Sequence, residues 1–205
     1  MQWLEQHAQL ISALVGVGTL LVWVVYLQVF LSSYRRTNKA MILINLTGGS
    51  GLDARCLVAN MSVGPLYLYA ITLTLQGAGE TVTCPVTELD GVEHWQEPSD
   101  LQLWTRQGPL KSGKLRDMGT IEALVDHVRS KRGAAAARAI DRLERLELTV
   151  VGTLASDDLV VAASRAYDVV TEGGASQLRA RSIGAHQIRS RRQRRATAAA
   201  LEREL

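Results

Sequence analysis

Apolar residues fall along this chain in three patterns, and each predicts a different kind of element. Over residues 10–31 they run without a single charge, and 14 of those 22 positions are Leu, Ile, Val or Phe. From residue 40 they break into short runs closed by glycine, proline and polar turns. Around Ile121 they recur at helical spacing.

The first pattern predicts a transmembrane helix over 10–31. At about 1.5 Å rise per residue such a stretch crosses a hydrocarbon core ~30 Å thick. Its aliphatic side chains, each worth roughly −0.3 to −0.6 kcal/mol on insertion, outweigh Ser12, Thr19 and Gln28. No polar face interrupts the run, as one would in a core helix of a soluble domain. A cleaved signal peptide needs a basic start, an apolar core of about 7–15 residues and a small-residue cleavage site. This chain starts Met1-Gln2-Trp3-Leu4-Glu5 and passes from Tyr34 directly into Arg35 and Arg36, so a retained anchor is expected.

Glu5 precedes the span, and Arg35, Arg36 and Lys39 follow it. By the positive-inside rule the N-terminus is expected outside and the rest of the chain in the cytosol. Trp3 and Tyr34 stand near the two expected interfaces. Ala8, Ser12 and Gly16 recur every four residues and form a small-residue face, suited to packing on a second copy or a partner helix.

The second pattern predicts strands at 41–46, 54–61, 67–75, 80–86 and 101–104, and again at 146–154 and 159–169. The run from Tyr67 to Leu75 alternates and is rich in β-branched residues, the mark of a half-buried strand. Between the two groups, Ile121, Leu124, Val125 and Val128 form one helical stripe. Asp117 or Thr120 would cap its start and Gly133 its end, with a second, Ala-rich helix over 134–145. The expected fold is a single N-terminal transmembrane α-helix followed by a mainly-β domain. That domain is sandwich-like and antiparallel, with a helical insertion at about 120–145.

The expected organisation is a short extracytosolic N-terminus (1–9), the span (10–31), a basic flank (32–39), the β domain (40–170) and a tail (171–205). Composition sharpens the last of these. Residues 175–205 carry eight Arg against two Glu, net +6, so the remainder sums to −3 within an overall +3. Such a run is first a solvated, flexible arm. Arg189, Arg191, Arg192, Arg194 and Arg195, like Arg35, Arg36 and Lys39, would also suit anionic lipid, at about 1 kcal/mol per basic residue near the surface. Nucleic acid or an acidic protein is the third reading. No interleaved aromatic residue supports base stacking.

Catalytic and metal motifs are sparse. Gly108-Pro109-Leu110-Lys111-Ser112-Gly113-Lys114 matches GxxxxGK, but Leu115 stands where a phosphate loop needs Ser or Thr for magnesium. It reads better as a turn between strands. Cys56 and Cys84 have no CxxC neighbour, and His7, His94, His127 and His186 have no ligand spacing. No GxSxG elbow occurs, and the paired Asp157 and Asp158 suit a hairpin turn. Neither cofactor, metal nor small-molecule substrate is inferred, and no catalytic residue is assigned.

The segment from Val22 to Leu27, the Arg35-Arg36 flank, the run from Cys56 to Met61, and Gln107-Gly108-Pro109-Leu110 resemble small uncharacterised bacterial inner-membrane proteins. These have one N-terminal helix and a soluble β-rich domain. The resemblance covers about the first 130 residues and implies an inner-membrane location without an activity. The functional expectation is a membrane-anchored interaction module, with membrane lipid and a protein as partners. An accessory subunit of a channel or transporter is the alternative, and a membrane-tethered enzyme ranks third.

Overall fold

The structure, a computed structural model, describes residues 7–37, 40–87, 105–154, 160–172 and 175–202. The chain divides between Lys39 and Ala40 into two compact units. The first holds one long helix, α1 (Ala8–Thr37). Every side chain over 12–34 is exposed, and the large apolar ones keep 42% to 69% of their surface open. Thr19 Oγ1 donates to the Val15 carbonyl (2.8 Å) and Ser32 Oγ to that of Val29 (3.0 Å). These hydroxyls therefore carry their hydrogen bonds within the helix, as an apolar surrounding requires. By length and composition, Ser12–Tyr34 is sufficient to cross a membrane.

The second unit is built on antiparallel sheets. Its elements are β1 (Ile42–Thr47), β2 (Arg55–Asn60), β3 (Leu66–Gly77), β4 (Glu80–Pro85), β5 (Gly108–Leu110) and β6 (Leu115–Thr120). They continue with α2 (Ile121–Asp141), β7 (Leu143–Leu154), β8 (Val161–Glu172), β9 (Ala175–Ala180), β10 (His186–Ile188) and α3 (Arg191–Glu202). A small sheet runs β1-β2-β6. The large sheet has the twelve-residue strands β8, β7 and β3 at its centre. Along one edge β4 and β5 lie end to end beside β3, and along the other β9 and β10 lie end to end beside β8.

Alternation sets which face of the large sheet is inside. Leu146, Leu148, Val150 and Leu154 of β7 point inward with period two. β3 places Leu66 and Leu68 inward, then shifts phase so that Ile71, Leu73 and Leu75 do so. The cause is a register break between Leu68 and Ala70 against β7, where one extra residue bulges out. Ile42, Ile44, Cys56, Val58 and Met118 of the small sheet join the same core, as does the stripe of α2.

α2 begins where Thr120, in extended conformation (φ −75°, ψ 153°), accepts a hydrogen bond from the Ala123 amide at 3.2 Å. Ile121, Leu124, Val125 and Val128 are all buried. Gly133 interrupts the helix at φ 56°, ψ −130°, a conformation that only glycine adopts without strain. The Ala-rich half then resumes and buries Ala136 and Ala139. The helical insertion thus ends at Asp141, and β7 starts at Leu143, three residues before the sequence pattern places it.

The C-terminal segment departs from the expected flexible arm. β9 and β10 both pair with β8. Gln187 grips the backbone of Ile42, accepting from its amide (3.1 Å) and donating to its carbonyl (2.6 Å), and the Leu178 amide donates to Ser50 (2.6 Å). The run of arginines hid these strands because edge strands need only backbone hydrogen bonds and one covered face. The strand expected over 101–104 and the turn at Asp157 and Asp158 lie outside the described residues.

Candidate functional site

α1 places Ala8, Ser12 and Gly16 one turn apart along one side of the helix. Ser12 and Gly16 are exposed, and nothing lies within 4 Å of where a Cβ on Gly16 would sit. Arg35 and Arg36 fall in the last turn of α1, whereas Lys39 lies outside the described residues.

The arginine run is divided by the fold. Arg189 precedes α3, and Arg191, Arg192, Arg194 and Arg195 occupy its first turns. Arg191, Arg192 and Arg195 are exposed, but Arg194 is half-buried and its Nε donates to the Val160 carbonyl. α3 lies along the outer face of the large sheet without burying any residue fully. Between them is a cleft of about 640 Å³. Its floor carries the hydroxyls of Thr72, Thr74, Thr149 and Ser164, and its other wall the small apolar Ala196 and Leu201. The hydroxyls are adjacent by strand register, Thr72 opposite Thr149 and Thr149 opposite Ser164. Such a surface offers many neutral donors and acceptors and little charge, with Glu147 at the lining.

The GxxxxGK segment does not form a phosphate cradle. Gly108–Leu110 is β5 in the large sheet and Leu115–Thr120 is β6 in the small one, joined by a tight turn at Ser112 and Gly113. Gly113 takes φ 69°, and its amide is spent on the Asn60 carbonyl at 2.8 Å. Asn60, wholly buried, in turn donates through Nδ2 to the carbonyls of Leu110 (2.9 Å) and Gly64 (3.0 Å). The Ser62 amide donates to Asn60 Oδ1 (2.9 Å), and Ser112 Oγ donates to the Ser62 carbonyl (2.6 Å). These bonds stitch three loops into one rigid cluster.

Cys56 and Cys84 are buried thiols in separate strands and form no disulfide with each other. Burial pushes the Cys56 thiol up to about 12, with a smaller push from Asp117 opposed by Arg106. Burial thus holds this thiol protonated at neutral pH in the folded chain. Among the described residues, no group of three or more His, Cys, Asp or Glu side chains is placed to hold a metal ion.

Two arginines, Arg106 buried and Arg165 half-buried, were not singled out from the sequence. Arg106 donates through Nε to the Met118 carbonyl (2.7 Å) and through Nη1 to that of Val86 (2.9 Å), tying the two sheets together. Arg165 sits at an inward position of β8, stacks 5.4 Å over the Tyr167 ring, and donates to the carbonyls of Ile44, Ser182 and Ile183. Both cations meet main-chain oxygens, which makes them braces of the fold. A single inward arginine in an otherwise apolar alternation is the trace that Arg165 leaves in the sequence.

No protein family, curated protein or solved structure matches the chain in comparisons with known proteins.

Proposed function

We propose that this protein is a single-pass, membrane-anchored interaction module whose β domain presents a protein-binding surface in the cytosol. The observation that carries this reading is the exposure of Ser12–Tyr34 on every side. The twelve Leu, Val and Phe side chains exposed over 12–34, left in water, would forgo on the order of 20 kcal/mol, at about 1.5 kcal/mol each. That exceeds the ~5–15 kcal/mol stability of a typical domain, which supports an apolar surrounding for the helix. Arg35, Arg36 and Lys39 support an orientation with the domain on the cytosolic side of a bacterial inner membrane. The hydroxyl-floored cleft under α3 is where we place the protein contact, and the reading involves no catalysis.

Two measurements test it. The full chain should stay in the membrane pellet after alkaline carbonate extraction, and a reporter fused after Leu205 should be active only in the cytosol. A chain released by carbonate would overturn the anchor, and reporter activity on the other side would overturn the orientation. The accessory-subunit reading rests on the small-residue face of Ala8, Ser12 and Gly16. It predicts that Gly16→Leu changes the native mass of the complex extracted in mild detergent, whereas an isolated module keeps its mass.

A further inference from the structure

Outside α1, seven large apolar side chains stand exposed among the described residues: Met41, Met61, Val63, Tyr67, Tyr69, Leu115 and Ile183. All but Ile183 belong to one end of the β domain. The Met61 amide donates to the Met41 carbonyl (2.8 Å), and the Met41 amide to Ser62 Oγ (2.9 Å). Leu115 opposes Ala59 on β2, and Tyr67 opposes Pro109 on β5. The Tyr67 and Tyr69 rings lie 5.2 Å apart. The Asn60 and Ser62 hydrogen bonds hold all these loops in fixed positions, so the exposed side chains are presented by a rigid base.

Charge accompanies them. The chain has four lysines, and Lys111 and Lys114 both lie in the turn at this end. Both are exposed and make no ion pair among the described residues. Lys39, a third, precedes the domain in sequence. Exposed Met, Val, Leu and Tyr side chains with two lysines in an adjoining turn are the composition of a surface that enters the headgroup layer, where amphipathic rings and long cationic stems are favoured.

Connectivity selects the occupant. Met41, in this same patch, follows Thr37 by four residues, and four residues of chain reach no more than about 14 Å. For a chain inserted through α1, that short covalent link keeps Met41 near the lipid surface. A distant protein partner needs no such placement; the lipid surface requires it. We propose that the Met41, Met61, Val63, Tyr67 and Leu115 end of the domain docks on the headgroup layer of an anionic bilayer beside its own anchor. The proposal rests on the anchor reading and adds a second, independent contact with lipid.

The test uses the full chain in nanodiscs of phosphatidylcholine with and without phosphatidylglycerol. Met61→Cys, Val63→Cys and Leu115→Cys are labelled with an environment-sensitive fluorophore, and Ile183→Cys serves as the exposed control. The native thiols are buried and stay unlabelled. Lipids carrying a shallow quencher should quench the first three labels and spare the control. Omitting phosphatidylglycerol, or replacing Lys111 and Lys114 with Gln, should weaken the quenching on the order of tenfold, as expected for two charges near an anionic surface. Equal quenching at Ile183, or none at any site in discs that hold the chain, would overturn the docking and leave the patch to a protein partner. A chain that fails to enter the discs would instead overturn the anchor, and the docking with it.

Discussion

α1 and α2 are both long helices rich in aliphatic residues, yet one exposes every large side chain and the other buries its stripe completely. In α2, Ile121, Leu124, Val125 and Val128 are inside while Glu122, Asp126 and Arg129 of the same turns are outside. In α1 the same aliphatic types surround the whole circumference over 12–34 and none is buried. The difference teaches that periodicity, rather than apolar content, names a helix's solvent. A one-sided helix is written for one face of a protein core, and an all-round one for an apolar surrounding on every side.

Substitutions can break this contrast, and the largest effect belongs to α2. Leu124→Ala should cost about 4 kcal/mol of domain stability, within the range for fully buried leucines, read by denaturant unfolding. Leu20→Ala, the same change in α1, should leave that unfolding curve where it was. Next is Leu20→Arg, which should oppose membrane insertion by about 3 kcal/mol and shift the chain towards the carbonate-soluble fraction. An unchanged pellet would refute the lipid environment of α1. Thr120→Ala removes the cap of α2 and should cost about 1 kcal/mol, again by denaturant unfolding. α3 sharpens the comparison from the other side, since it is exposed yet mostly polar. Ending the chain at Ser190 should change domain stability by no more than about 0.5 kcal/mol, because α3 fully buries no side chain.

The last effect vanishes at neutral pH. Cys56 rises from 9.0 to about 12 in the folded state, chiefly by burial. The folded protein holds this proton more tightly than the unfolded chain, so the contribution is intact below pH 9 and is lost as pH climbs towards 12. Denaturation midpoints should fall over that window. Cys56→Ala should flatten the part due to the thiol, leaving that of Tyr167, which burial also raises to about 12.

Much of this fold is legible in the sequence, and the legible part follows burial. Strands β1 to β4, β7 and β8 announce themselves because each carries inward aliphatic residues, and α2 does so through its stripe and Thr120. β5, β6, β9 and β10 do not. β6 reads Leu-Arg-Asp-Met-Gly-Thr and buries only Met118, and β9 reads Ala-Ser-Gln-Leu-Arg-Ala with Leu178 half-buried. Their places are fixed by main-chain hydrogen bonds to a neighbour, which any side chain permits. The apolar patch was equally hidden. Met41, Val63 and Leu115 are far apart in sequence, only Met41 falls in an expected strand, and the Asn60 and Ser62 hydrogen bonds gather them.

The end-to-end strands along both margins of the large sheet have a consequence for life in a crowd. An uninterrupted outer strand exposes a continuous row of amides and carbonyls, which a neighbouring molecule can extend into a shared sheet. Here each margin is split into one piece of six residues and one of three: β4 and β5 on one side, β9 and β10 on the other. The gap between pieces interrupts any template before it reaches the length of the twelve-residue central strands. Tethering confines molecules to two dimensions and raises their effective concentration. Split margins therefore guard against such co-aggregation, the more so for a chain tethered as proposed above, and they are built from the very strands whose side chains say least.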